Sequence, residues 1–138
     1  MELTTQAMRE LMPLCAHMEM ELVRATPEEV VGSMQWDHST TTTGGAMHGG
    51  ALMSLTDTIG GVVAFLNLPE GAGTSTISSS TVFLRGLREG TVTATGRLIH
   101  KGRTTIVAET ELTDAQGRPV ARTTQTQAVL RPRQGGPE

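Results

Sequence analysis

Residues 47–61 read MHGGALMSLTDTIGG and contain one charge, Asp57. Going outward, the next Asp, Glu, Lys or Arg is Asp37 on one side and Glu70 on the other. The periodicity of the segment predicts a helix over 48–66. At about 100° per residue, Leu52, Leu55, Ile59, Val62, Val63 and Leu66 share one arc about 100° wide. Gly50, Ser54, Asp57 and Gly61 share a narrower arc on the opposite side. Gly60 and Gly61 each weaken a helix by about 1 kcal/mol relative to Ala. Their presence makes sense if another backbone or a ligand approaches closely there.

A helical carboxylate is ordinarily a solvated surface group, and periodicity alone favours that reading. The composition of the face argues against it. Solvated helix faces carry Lys, Glu or Gln. Here Asp57 has only Gly, Ser and Gly beside it, with Met53, Ala64 and Phe65 at the margins. The expectation is a helix covered on both sides, with Asp57 in a cleft as a catalytic base or nucleophile. His48-Gly49-Gly50 adds a second element. Glycines at a helix start leave N–H groups accessible at the positive end of the helix dipole, where they can hold an anion or a carbonyl oxygen gaining negative charge.

On either side of this helix the pattern changes. Residues 5–14 suit a short helix ending near Pro13, and 17–25 and 28–36 suit a strand pair around Thr26-Pro27. Residues 37–47, DHSTTTTGGAM, are a loop by composition. Beyond Pro69, the stretches 74–85, 91–101, 104–113 and 120–130 are rich in Thr, Val and Ile. They predict a long meander whose hairpin turns are GLREG, KGR and DAQGRP. Ile106, Ala108, Thr110 and Leu112 alternate with Val107, Glu109, Glu111 and Thr113, the period of a sheet with one face covered. One apolar helix and about six strands predict an α+β domain with a curved antiparallel sheet on a central helix. That domain is expected to fill 1–130, with RPRQGGPE at 131–138 in a frayed polar tail.

Composition removes several function classes. The net charge is -3 and the pI about 5.8, with no basic footprint for nucleic acid or a membrane surface. One Trp, two Phe and no Tyr leave few platforms on which bases could stack. Cys15 is the only cysteine, so no internal disulfide forms and a reducing cytoplasm is the expected setting. It has no basic neighbour in sequence and reads as a packing residue. The start, MELTTQAMRE, lacks the order of a secretory signal, and no apolar run reaches about 20 residues. His17, His38 and His100 lack metal-ligand spacing, and no metal or separate cofactor is expected. Arg85 reads as a solvated strand-end residue, and the eight methionines as adaptable apolar filling.

HGGALMSLTDTIGG, TISSSTVFLRG and HKGRTTIVAETELTDAQGRPVARTTQTQAVL together resemble the hotdog-fold acyl-CoA thioesterases, and most nearly the phenylacetate-pathway (PaaI-type) branch. The resemblance spans about 18–130. It implies a long helix wrapped by a curved sheet, subunits that pair to extend that sheet into a homodimer and then a homotetramer, and active sites at the dimer interface. Asp57 takes the place of the residue that activates water or attacks the thioester. A related branch has Glu there. Gly49 matches the glycine whose N–H polarises the thioester carbonyl, with His48 shaping the loop. Thr76 matches a hydroxyl near the water, or Ser75 if the register slips by one. Gly50 and Ser54, on the Asp57 face, count as substrate-binding positions, and Arg103 as a contact for the nucleotide end of coenzyme A. Coenzyme A would be part of the substrate, not a cofactor.

Three positions depart from that family's pattern. Thr42 stands where Asn is common six residues before the His, so the orienting role falls to Thr42 with a single donor, to His38 or to Thr43. The strand TISSSTVFLRG is unusually rich in Ser, and Gly86 stands where Pro is common. The leading expectation is hydrolysis of an aryl- or medium-chain acyl-CoA. A non-catalytic acyl-CoA-binding protein is the alternative that Thr42 favours. A hydratase or dehydratase would place a catalytic His a few residues after the Asp, and none follows Asp57 before His100.

Overall fold

A computed structural model describes residues 2–132. Of the tail expected at 131–138, residues 133–138 lie outside the described residues. The elements, in chain order, are α1 (Thr5–Leu11), α2 (Pro13–His17), β1 (Glu21–Ala25), β2 (Glu29–Gln35), α3 (Gly49–Leu66), β3 (Gly73–Phe83), β4 (Thr91–Lys101), β5 (Thr105–Thr113) and β6 (Pro119–Leu130). All six strands form one antiparallel sheet in the order β1-β2-β4-β5-β6-β3.

The helix α3 forms where its periodicity places it. His48 caps its start, its Nδ1 accepting from the Gly50 N–H at 2.8 Å. At the other end the buried Asn67 amide donates to the carbonyls of Val63 and Pro27 at 2.8 and 2.6 Å, tying the last turn to the β1–β2 hairpin. The apolar arc is buried as expected: Leu55, Ile59 and Val63 expose nothing. By length and composition α3 could cross a membrane, but more than half of it is buried here as the core helix.

Ile59 sets how close the helix comes to the sheet. A Cβ on Gly32 of β2 would lie 2.6 Å from Ile59 Cδ1, and one on Gly96 of β4 would lie 2.8 Å from its Cγ2. Gly96 pairs with Val30 across these strands, so the two glycines open one recess on the inner face. Ile59 fills it, and a β-branched side chain has little rotamer freedom with which to make way for a methyl group. On β5 the inward residues are Ile106, Ala108, Thr110 and Leu112, as the alternation predicts.

The expected meander is correct for β4, β5 and β6 and wrong for β3. The β3 strand pairs with β6, and β4 pairs with β2. GLREG is thus a crossover and not a hairpin turn. Leu87 within it is buried in the core, and its carbonyl accepts from the Met47 N–H at 2.7 Å, so the segment crosses the body of the fold. The N-terminal expectations also shift. Proline has no N–H to continue a helix, so the chain breaks at Met12 and Pro13 opens a second helix that runs through His17. That leaves β1 only Glu21–Ala25. Residues 38–45 of the expected loop form two short 3-10 turns, held by Trp36 Nε1 donating to the Gly45 carbonyl at 2.9 Å.

Replacing Ile59 with Ala empties the recess that Gly32 and Gly96 leave. The expected loss is about 2–5 kcal/mol of unfolding free energy, measurable by urea denaturation; a loss below about 1 kcal/mol would show that the sheet closes over the gap.

Candidate active site

Asp57 sits mid-way along α3, on the side that meets the inner face of β6 and β3. Its Oδ1 accepts from the Thr76 hydroxyl at 3.1 Å and from Gln125 Nε2 at 3.2 Å. Gln127 Nε2 in turn donates to Thr76 Oγ1 at 2.8 Å. Oδ2 has no protein partner among the described residues. Two cavities meet at this carboxylate, and Asp57 and Thr76 border both. One, of about 400 Å³, has Leu3, Leu11, Met12, Val62 and Phe65 as its apolar walls. The other, more open, is lined by Gly50, Met53, Ser54 and Ser79.

Register explains how Thr76 reaches Asp57. Thr76 pairs with Gln127, whereas Ser79 pairs with Gln125, so β3 has one extra residue between them, a β-bulge at Ile77. Directly opposed residues point to one face, which brings Thr76 and Gln127 to the helix side together. Ser75 pairs with Ala128 and lines the apolar cavity but makes no bond to Asp57. Of the two hydroxyls weighed from sequence, Thr76 is the one in contact.

The expectation that α3 is covered on both sides is not met by this chain. Asp57, Gly50, Met53 and Phe65 are exposed, and Ser54 and Gly61 half-buried. Among the described residues the sheet covers one side, and Leu3, Leu11 and Met12 reach only part of the other. The edge strand β3, eleven residues long, exposes Ile77, Val82 and Phe83, of which Phe83 lies on the α3 side against Gly49.

At the start of α3 the donors are largely spoken for. Gly50 N–H goes to His48 Nδ1, and the N–H groups of Ala51 and Leu52 both go to the His48 carbonyl. Among the described residues only the Gly49 N–H in this turn has no protein partner. A Cβ on Gly49 would lie 3.2 Å from the Phe83 ring. Gly49 and Asp57 are eight residues apart on one helix, about 12 Å along its axis. The structure does not bring them together within one chain.

The thioesterase superfamily profile matches residues 44–121, more than half of the chain. A candidate esterase of Vibrio cholerae is 33% identical over 120 residues, covering 87% of this chain and 80% of that protein. The chain belongs to the thioesterase superfamily. The crystal structure of a variant thioesterase from Pseudomonas aeruginosa superposes with a TM-score of 0.87 at 27% identity, over 94% of this chain and 96% of that one. The E. coli PaaI protein of the phenylacetic acid degradation operon superposes with a TM-score of 0.84 over 92% of this chain and 91% of that one; at 23% identity this is a likeness of fold. The hotdog architecture expected from the sequence, a curved antiparallel sheet around a central helix, is the one observed.

Within this thioesterase Gly50 and Ser54 line the open cavity beside Asp57, whereas Thr42 and Arg103 lie apart from it. Thr42 is exposed at the start of a 3-10 turn, its side chain making no cap bond, and it borders neither cavity. His38 and Thr43 are in the same exposed loop. Ser54 spends its hydroxyl on the Gly50 carbonyl at 2.9 Å. Arg103 is exposed in the β4–β5 turn, where its carbonyl accepts from Arg131, and lines neither cavity. Among the described residues no cluster of three His, Cys, Asp or Glu could hold a metal. Burial pushes the Cys15 thiol up, and its sulfur lies 3.9 Å from Thr58 Oγ1, which fits packing.

Sequence reasoning missed Gln125, Gln127 and the N-terminal wall of the cavity. In TTQTQA polar residues occupy both parities, so alternation alone gives no inward face. Only pairing with β5, whose inward residues were legible, would have singled out Thr123, Gln125 and Gln127.

His48→Ala removes the cap of α3. We expect a loss of about 0.5–2 kcal/mol in unfolding free energy, read by urea denaturation; an unchanged midpoint would mean that the helix start is held by the Thr40 and Leu87 backbone contacts alone.

Proposed function

We propose that the chain hydrolyses the thioester of an acyl-CoA whose acyl group is uncharged, aryl or medium-chain, as in the phenylacetate-type branch, and that Asp57 carries the chemistry. The observation that supports this best is the carboxylate's placement: anchored through Oδ1, free at Oδ2, and at the mouth of an apolar cavity. No Lys, Arg, His or Glu lines that cavity, so it suits an acyl group without charge. Its volume is within the roughly 300–1,000 Å³ usual for small-molecule sites. Asp, not Glu, at 57 is the feature that favours the phenylacetate-type branch.

In one route Asp57 Oδ2 removes a proton from water as the water oxygen attacks the thioester carbon. In the other Oδ2 itself attacks and forms a mixed anhydride, which water then cleaves. Either way the carbonyl oxygen becomes negative and needs a donor about 3 Å away. Gly49 of the same chain is too far along α3 to serve. The donor is therefore Gly49 of a second copy, packed against the exposed Asp57 side and the β3 edge in a homodimer that pairs again into a tetramer through other faces. In that arrangement each site takes its carboxylate from one copy and its oxyanion donor from the other.

Free-thiol release from an acyl-CoA panel, wild type against Asp57→Asn, tests the chemistry. Turnover of at least one aryl- or medium-chain substrate is expected, falling on the order of a hundredfold or more in a folded variant. Turnover that survives the substitution would remove Asp57 from the reaction. Tight acyl-CoA binding without any turnover would favour the binding-protein alternative.

Mixing two inactive variants tests the shared site. Gly49→Pro deletes the N–H at the first helical position, where proline is tolerated, and His48 already has the extended ψ of 135° that precedes a proline comfortably. Refolding Gly49→Pro together with Asp57→Asn should restore roughly a quarter of wild-type activity, because half of the dimers are mixed and each has one intact site. No recovery would argue that both groups serve within one chain.

A further inference from the structure

We infer that Gln125 and Gln127, on the inner face of β6, are positioning residues that hold the Asp57 carboxylate by Oδ1 and so present Oδ2 to the substrate. The inference rests on Asp57 being the reacting group. Both glutamines are 1% exposed, in a layer where their strand neighbours on β5 are mostly apolar. A buried amide is costly unless its hydrogen bonds are made. The bonds these two make run to the site.

The direction of each bond follows from chemistry. A carboxylate oxygen only accepts and a threonine hydroxyl has one hydrogen, so the Thr76 hydrogen goes to Asp57 Oδ1 and Thr76 Oγ1 accepts from Gln127 Nε2 at 2.8 Å. The Thr74 hydroxyl, 2.8 Å from the Ala128 carbonyl and 3.1 Å from Gln127 Oε1, does not itself fix that amide. The chain of donation runs from Gln127 through Thr76 to the carboxylate. Gln125 reaches Oδ1 directly, and its amide nitrogen must face Asp57, because its oxygen there would meet another acceptor.

That orientation leaves Gln125 Oε1 buried and without a partner. It also presses on the helix: a Cβ on Gly60 would lie 2.0 Å from that oxygen. A mid-helix glycine costs about as much as the pattern of 48–66 suggested, and here it makes room for the amide. A short apolar residue at 125, such as Val, would need neither the orphaned oxygen nor the glycine, since it is the far end of the Gln125 side chain that meets Gly60. The one contact that explains Gln125 as an amide is its bond to Asp57.

The test uses Gln125→Met, which keeps the length and removes the donor, and a double-substitution cycle of Gln127→Met with Thr76→Val. For Gln125→Met we expect kcat to fall on the order of tenfold to a hundredfold, with KM within about twofold and a thermal midpoint equal to or above that of the wild type. Gln127→Met should lower kcat in the wild type and change it little in the Thr76→Val background, since its effect passes through that hydroxyl. An unchanged kcat in Gln125→Met would overturn the inference. So would losses that track a lower thermal midpoint and multiply across the cycle, which mark packing alone. A wild type without turnover on any thioester would defeat the proposed reaction separately. Crystal structures then decide this inference: a single Asp57 rotamer in the wild type that is lost in Gln125→Met supports it, and an unchanged rotamer overturns it.

Discussion

The fold depends on how closely α3 lies against its sheet. Ile59 enters a recess that exists because Gly32 and Gly96 lack side chains, and the helix backbone at Gly60 meets the Gln125 side chain with no Cβ between them. A helix one methyl group farther out would lose both contacts. It would also carry Asp57 away from Thr76 and Gln125, whose bonds to it are already 3.1 and 3.2 Å long. Packing and the Asp57 contacts are set by the same separation. Gly61, the next residue, has a different reason: a Cβ there would meet nothing within 4 Å, and it lines the apolar cavity, so its missing side chain leaves that space open beside Asp57.

The inner face of β6 shows what the site costs the core. Thr123, Gln125 and Gln127 stand in a row where Val or Leu would bury more apolar surface. Thr123 is satisfied, since its hydroxyl meets those of Thr56 and Thr81 at 2.9 and 2.8 Å. Thr110 Oγ1 and Gln125 Oε1 are not. Stability optimised alone would remove such groups; natural chains keep local violations of this kind where function uses them. The orphaned Gln125 oxygen falls beside the one carboxylate of α3, which is where a functional origin would put it.

What was legible in the sequence follows from how local each signal is. The helix 48–66 was readable because five turns repeat one apolar arc, and β4 to β6 because their strands are consecutive in both chain and sheet. The place of β3 was not. Its partner β6 comes only after β4 and β5 in the chain, and the buried Leu87 that makes GLREG a crossover has no mark distinguishing it from a turn residue. Asp57 was readable through the absence of other charges around it, but the cover inferred for it was incomplete: among the described residues the sheet supplies one side and the N-terminal segment only part of the other. The cavity's outer wall was invisible for the same reason as β3. Leu3, Leu11 and Met12 reach Asp57 only because Thr5 and Arg9 fasten α1 to the backbone of Leu22 and Met20, contacts between segments that are separate in sequence.

The lone charge of MHGGALMSLTDTIGG is best understood with the empty stretch around it. An ion beside Asp57 would either neutralise it or repel it, and at the effective dielectric of a half-covered cleft such a neighbour acts strongly at 4 Å. The chain uses neutral donors instead. A hydroxyl and an amide fix one oxygen and leave the other free, so the carboxylate's orientation is set without a neighbouring ion. In the proposed dimer the uncharged helix face has a second use. A surface of Gly, Ser, Met and Phe can be covered by another copy without stripping water from further charges, and Asp57 is the only ion that such a contact encloses on α3. Because Gly49 and Asp57 are carried by one uninterrupted helix, a two-fold partner that brings its Gly49 to this Asp57 necessarily receives the reciprocal pair. In the proposed dimer one rigid element would set the geometry of two sites at once.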